Sequence, residues 1–235
     1  MCGRYRLSRR KQLVDEYFGT VSGEDDWVPR YNIAPSQPVV TIRQDAGEPV
    51  RKLSIMQWGL VPSWAKEPGI GYKTINARAE TVATTPSFRE PFKSQRCLVP
   101  ADGFYEWQRD GKTKQPYCFE VNDGELFAFA GLWDEWKNAQ GELIESCTIL
   151  TTMSNSLLAD IHDRMPVILR QDDYELWLDP AFRDTPSLSE MLRPFDAGLM
   201  SRHPVSTRVN RVQNDDAECE KPLELGESPA QPQLF

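Results

Sequence analysis

Histidine is nearly absent from this sequence of 235 residues: His162 and His203 are the only two. That scarcity excludes a histidine-rich metal centre, which needs several imidazoles converging on one ion. The five cysteines (2, 97, 118, 147 and 219) are odd in number and include no C-x-x-C pair. Neither a zinc site nor a disulfide framework is expected, and the chain is placed in a reducing, cytoplasmic compartment. No apolar run approaches the roughly 18 residues of a membrane span. The basic N-terminus, Met1 to Gln12, lacks the apolar stretch of a secretory signal. No membrane, no metal and no cofactor are therefore expected.

Positive charge is also short. The net charge is −8, which opposes a strongly cationic coat for nucleic acid. The deficit is concentrated: residues 213–235 hold six acids against Lys221, a local net of −5, so the remaining 212 residues carry −3. Residues 1–11 hold Arg4, Arg6, Arg9, Arg10 and Lys11 with no acid. A local basic groove is compatible with this distribution.

What is present is a core and a strand pattern. Hydrophobic residues make up 40% of the chain, with seven tryptophans, and no repeat or low-complexity linker divides it. One domain over residues 1–214 is predicted, followed by an acidic, mobile tail over 215–235. Ser8 is placed to cap a helix running to about Tyr17, and residues 20–37 read as loop. Strands are predicted over 39–43, 53–58, 97–99, 104–108, 117–121, 126–131, 147–152 and 167–169. Hairpin turns are expected at Asp110-Gly111 and Asp123-Gly124, a helical turn over 78–84, and helices over 172–178 and 187–192. The class is α+β, dominated by antiparallel strands.

Seven residues stand out chemically. Removal of Met1 would leave Cys2 with an α-amine and a thiol on adjacent carbons. An α-amine has a pKa of ~7.7–8.0 against ~10.4 for lysine, so near neutrality a substantial fraction is unprotonated. It condenses with an aldehyde to an imine, and the thiol can then close a five-membered thiazolidine. Thiolate character would also make Cys2 a nucleophile toward carbonyls. Glu106, in Gly103-Phe104-Tyr105-Glu106-Trp107, shares a strand face with Phe104; among aromatics its pKa should rise, which suits proton transfer. His162 stands next to Asp163, an arrangement that favours a held proton. Asn76 and Arg78 share one side of an extended segment and offer an amide and a guanidinium. Trp58 and Trp64 flank a Gly/Pro-rich loop where aromatics can stack on bases. Each has a plainer reading: a frayed terminus for Cys2, a water-facing Glu106, a surface turn at His162, core tryptophans. His203 reads as structural.

The order and spacing of these segments resemble the SRAP (SOS-response-associated peptidase) family. The resemblance runs through Met1-Cys2-Gly3-Arg4-Tyr5, Tyr31-Asn32-Ile33-Ala34-Pro35, Trp58-Gly59-Leu60-Val61-Pro62-Ser63-Trp64 and Ile75-Asn76-Ala77-Arg78-Ala79-Glu80. It continues through residues 96–107, Ile161-His162-Asp163-Arg164-Met165-Pro166 and His203-Pro204-Val205-Ser206. It implies a compact domain with an antiparallel, barrel-like sheet core and a few peripheral helices. It also implies, in response to DNA damage, crosslinking of Cys2 to abasic sites in single-stranded DNA, in a monomer that meets the nucleoid when acting. By motif position, Asn76, Glu106 and His162 would assist Cys2. Arg4, Arg78 and Arg164 would contact phosphates, and Asn32, Pro35, Trp58 and Trp64 would wall the strand's channel. A single Trp64 stands where some relatives carry two tryptophans. Two other readings stay open: a cysteine peptidase with an N-terminal nucleophile that removes Met1 itself, and a non-catalytic single-strand-binding module.

Overall fold

The computed structural model describes residues 2–21, 27–111 and 113–223. Met1 and residues 224–235, on which the expectations of Met1 removal and of a terminal tail fall, lie outside them. Among the described residues, fourteen strands and four α-helices follow in chain order. They are β1 (Tyr5–Leu7), α1 (Lys11–Phe18), β2 (Thr20–Val21), β3 (Arg30–Ile33), β4 (Pro38–Gln44), β5 (Arg51–Trp58) and β6 (Asn76–Arg78). Next come α2 (Arg89–Ser94), β7 (Arg96–Ala101), β8 (Gly103–Asp110), β9 (Thr113–Val121), β10 (Phe127–Lys137) and β11 (Leu143–Met153). The last are β12 (Arg164–Pro166), β13 (Ile168–Leu169), α3 (Tyr174–Leu178), α4 (Thr185–Glu190) and β14 (Met200–Pro204).

Five strands close on themselves. β5 pairs with β4, β4 with β7, β7 with β10 and β10 with β11, all antiparallel, and a short parallel contact of β11 with β5 completes the ring. The closing pairs are Ser146 with Gln57 and Cys147 with Trp58. All six residues of β7 are buried, as expected where a strand faces protein on both sides. A second sheet, in the order β14-β9-β8-β1-β3, packs on the barrel. The class is α+β with a barrel-like antiparallel core, as the residue pattern and the family resemblance lead one to expect.

The chain crosses from barrel to second sheet between β7 and β8, at Asp102. From there β8 alternates: Phe104 joins the main core, while Tyr105 and Trp107 face a smaller cluster with Cys118, Val205, Val209 and Cys219. Between the sheets the aromatic rings interlock. Tyr5 meets Trp58 at 5.3 Å and Phe129 at 5.6 Å between centroids, both edge-on, a geometry that aromatic quadrupoles favour.

Several expectations are corrected. Ser8 caps no helix; its backbone N–H and hydroxyl donate to the Asp102 carboxylate at 2.9 and 2.6 Å, and α1 starts at Lys11. The stretch 20–37 contains β2 and β3. The segment 78–84 continues β6 into turns rather than a helix. Asp123-Gly124 joins strands of different sheets, so it makes no hairpin. Asp110-Gly111 does lie at the turn of the β8–β9 hairpin, and a further hairpin joins β10 to β11, where the Asn138 side-chain oxygen accepts from the Gln140 and Glu142 N–H groups at 3.0 and 2.8 Å.

The largest correction concerns residues 215–223, expected in a mobile tail. The Asp215 carboxylate accepts from the Tyr31 and Asn32 backbone N–H groups at 2.5 and 2.8 Å and pairs with Arg30. Cys219 is buried, Pro222 bridges to Val205, and the Leu223 N–H donates to Pro204 at 2.8 Å. A boundary at 214 cuts through packed structure. The acids that suggested mobility have partners: Asp215 with β3, Asp216 with Arg208, Glu218 with Lys221 and Glu220 with Arg6.

Asp102→Ala removes the acceptor of both Ser8 donors and the fully buried one of the three carboxylates around Arg6. Urea unfolding is expected to show a loss of about 3–5 kcal/mol, against about 1 kcal/mol for Ser8→Ala. Equal losses for the two variants would contradict the ionic role of Asp102.

Candidate active site

The N-terminal strand is held from both sides. β1 pairs with β3 through Tyr5 and Ile33, and with β8 through Tyr5 and Phe104 and through Arg6 and Gly103. The Tyr105 N–H donates to the Arg4 carbonyl at 3.0 Å, so the same register runs on toward the terminus. It carries Cys2 and Gly3 alongside Glu106 and Trp107. Cys2 is fully buried, and the expectation of a frayed end fails.

Burial sets the electrostatics of the pair. The Cys2 thiol is pushed far above the usual thiol range, first by burial and then by the Glu106 charge. No standing thiolate is held there, contrary to the thiolate character expected of this position. Glu106 is 4% exposed, and burial raises its carboxyl to about 7. A carboxyl poised near neutrality can give a proton or take one. The plainer reading of a water-facing Glu106 is excluded.

His162 lies between β11 and β12, half-buried. Its Nδ1 stands 2.9 Å from the Arg164 backbone N–H and 2.9 Å from the Asp163 carboxylate. Neutral imidazole accepts the first contact; imidazolium would donate to the second. Burial, with help from the Arg109 charge, holds its pKa below the ordinary value. The neutral form with the proton on Nε2 therefore prevails near pH 7. Asp163 is too exposed to hold a proton on the ring, which corrects the expectation drawn from its acidic neighbours.

Asn76 opens β6, beside Ile149 of β11. Its Nδ2 donates to the Ile75 and Ile149 carbonyls at 3.0 and 3.3 Å. Its Oδ1 is buried and accepts nothing among the described residues, an open acceptor for an amine or hydroxyl. Ala77, next to it, points into the core, and Arg78 is exposed.

The residues expected to meet DNA divide sharply. Trp58 is wholly buried, its Nε1–H donating to the Ile75 carbonyl at 2.8 Å; it is core, not channel wall. Asn32 is buried too, and its Nδ2 holds the carbonyls of Val209, Arg211 and Asn214. Arg164 is buried and forks onto Glu80 at 2.6 and 3.0 Å while donating to the Thr151 carbonyl at 2.6 Å. Arg4 donates to Asn32 Oδ1 and the Val209 carbonyl at 2.7 and 2.6 Å. Pro35 is half-buried. Glu80, at the end of the Ile75–Glu80 motif, is thus the partner of Arg164.

Trp64, by contrast, is 59% exposed on a loop that is tied down. The Gly59 N–H donates to Cys147, Val61 to Ser146 Oγ, Ser63 to Asp134, and Trp136 Nε1–H to Ala65, all within 2.7–2.8 Å. Gly59 has φ +129°, and a Cβ there would sit 2.6 Å from the Gly71 carbonyl oxygen. Only glycine permits that crossing. No group of three or more His, Cys, Asp or Glu among the described residues is placed to hold a metal ion. No helix among them is long and apolar enough to cross a membrane.

Comparison with known proteins gives this arrangement a family. The model of the SOS response associated peptidase (SRAP) family matches residues 1–212. The chain is 45% identical over 221 residues to the abasic site processing protein YoqW of Bacillus subtilis, covering 93% of this chain and 98% of that one. It is 40% identical over 233 residues to the abasic site processing protein HMCES of Gallus gallus, covering 86% and 69%. A crystal structure of a protein from Bacteroides thetaiotaomicron superposes with a TM-score of 0.86 at 29% identity, covering 94% of this chain and all of that one. The chain belongs to the SOS response associated peptidase (SRAP) family.

Proposed function

We propose that this chain processes abasic sites in single-stranded DNA by attaching Cys2 to the ring-opened sugar aldehyde. The observation that carries this reading is a buried Glu106, with its carboxyl raised to about 7, in the electrostatic neighbourhood of a buried Cys2 thiol. The names of the relatives point to the same substrate. Once Met1 is removed, the α-amine of Cys2 adds to the aldehyde carbon. Glu106 delivers a proton to the departing hydroxyl, and water leaves with formation of the imine. The thiol then adds across the C=N bond, sulfur to carbon, while its proton reaches nitrogen through the Glu106 carboxylate. Neutral His162 offers Nε2–H as a second donor, and Asn76 Oδ1 receives an N–H of the reacting amine.

The peptidase reading asks Cys2 for a thiolate, and burial works against one. Aldehyde capture does not need it, because the amine attacks first and the thiol adds later to an activated carbon. The chain is taken to act as a monomer, without metal or cofactor.

Mixing the protein with an oligonucleotide bearing one abasic site should yield an adduct that survives SDS and heat without borohydride. Cys2→Ala abolishes it, and Cys2→Ser leaves only what borohydride traps. A stable adduct formed equally by both variants would remove the thiazolidine from the scheme.

Because protonated Glu106 supplies the proton for water loss, crosslinking should slow as pH rises through about 7. Glu106→Gln should lower the rate by roughly 10²-fold or more and flatten that limb. A wild-type rate with an unchanged pH profile in this variant would exclude Glu106.

The raised pKa also links to folding. Protonation of Glu106 below its unfolded value favours the native state, and that contribution is lost as pH rises through about 7. Glu106→Gln should therefore be more stable than wild type at pH 8, by up to about 3 kcal/mol, with the gap closing toward pH 4. Denaturant unfolding at the two pH values measures it.

A further inference from the structure

If Arg4 and Arg164 are committed to protein acceptors, the charge that holds a DNA backbone must come from elsewhere. Arg78, exposed on β6 two residues after Asn76, is one guanidinium beside the site with no ion pair among the described side chains. A second source lies on the other strand that bears a site residue. Arg109 follows Glu106 by three positions on β8, and it stands directly opposite Lys114 of β9. Both are exposed, and neither makes an ion pair with any described side chain.

Two like charges facing each other across a ladder cost stability. The chain has 35 acids to 27 bases, yet among the described side chains no acid pairs with either residue. Three positions along the strand put Arg109 about 10 Å from Glu106 and on the opposite face of β8, yet its charge still reaches His162, where it adds to the dominant effect of burial. The hairpin end is thus a cationic point at the margin of the reactive pocket.

We propose that Arg109 and Lys114 form a phosphate clamp for the DNA strand flanking the reactive aldehyde, on the β8–β9 side of the site. The ligand is the phosphodiester backbone, recognised without regard to base, and the clamp rests on the abasic-site reading above. Together with Arg78, the clamp gives the strand a cationic contact on each of the two elements that carry Asn76 and Glu106.

The test is the salt dependence of binding to an undamaged single-stranded oligodeoxythymidylate, measured by anisotropy for wild type, Arg109→Gln/Lys114→Gln and the charge-preserving Arg109→Lys/Lys114→Arg. Each phosphate contact on a single strand contributes about 0.7 to the slope of log affinity against log salt. The neutralised double variant should therefore lose about 1.4 from that slope, with crosslinking at limiting abasic DNA falling in step with affinity. The charge-preserving variant should keep the wild-type slope. An unchanged slope in the neutralised variant overturns the clamp, as does wild-type binding with no salt dependence. A wild type that binds but never crosslinks refutes the aldehyde reading alone, since the slope still decides the clamp. Normal crosslinking with an unchanged slope refutes the clamp alone.

Discussion

The ion pairing of Arg6 is the constraint on which the rest of this structure depends. Its guanidinium is buried and lies among three carboxylates: Asp102 at 3.3 Å, Glu120 and Glu220. Asp102, fully buried, also takes both donors of Ser8 and stands 3.6 Å from Arg9. These contacts join β1 to the crossing between β7 and β8, to β9, and to the segment after residue 215. A Cβ at Gly103 would lie 2.4 Å from Arg6 Nε, so the residue after Asp102 has no room for a side chain. Buried charges add little net stability when paired but cost several kcal/mol when one partner is removed. Such a cluster enforces one arrangement rather than strengthening several. Here that arrangement fixes a chain terminus, normally the loosest part of a domain, at the interior edge of a sheet.

The fixed terminus explains the chemistry of the pocket. Desolvation at that depth raises the Glu106 carboxyl and the Cys2 thiol together. Below about pH 7 both groups are therefore neutral in the resting site. The site stores protons rather than charge, as a condensation that expels water and then moves a thiol proton requires. The same depth accounts for the surface: arginines close to the pocket are drawn inward to satisfy buried carbonyls and carboxylates, and Arg78, Arg109 and Lys114 are exposed where strands emerge, without an ion pair among the described side chains.

Strands long enough to alternate were legible from residues alone. β4, β5 and the run from β7 to β11 follow period-2 patterns or unbroken apolar stretches, and their positions emerge within a few residues. β1, β6 and β12 have three residues each; they exist because distant partners supply the ladder, and no local pattern encodes that. Trp58 and Trp64 sit six positions apart in one motif and end in opposite environments. Which one is buried depends on the reversal at Gly59 and its contact with Gly71, a long-range fit. Alternation placed Phe104 and Glu106 on one face of β8 but left open whether that face met water. The acids of 215–220 had the composition of a solvated tail, and only distant partners, the N–H groups of β3 for Asp215 and Arg6 for Glu220, reveal their use.

The depth of Cys2 also bears on the choice between a peptide carbonyl and an aldehyde. An amide is a weak electrophile, so its attack relies on a preformed strong nucleophile and a base that accepts the proton at once. A thiol shifted upward beside a carboxyl that is itself half-protonated near pH 7 meets neither need. An aldehyde asks less, because condensation begins with the α-amine, whose ordinary pKa lies near 8. The thiol enters after the imine has made the carbon strongly electrophilic, and ring closure is intramolecular, so proximity replaces acidity. The features that disfavour the first reaction are therefore compatible with the second, and they follow from one cause, the burial of β1 between β3 and β8.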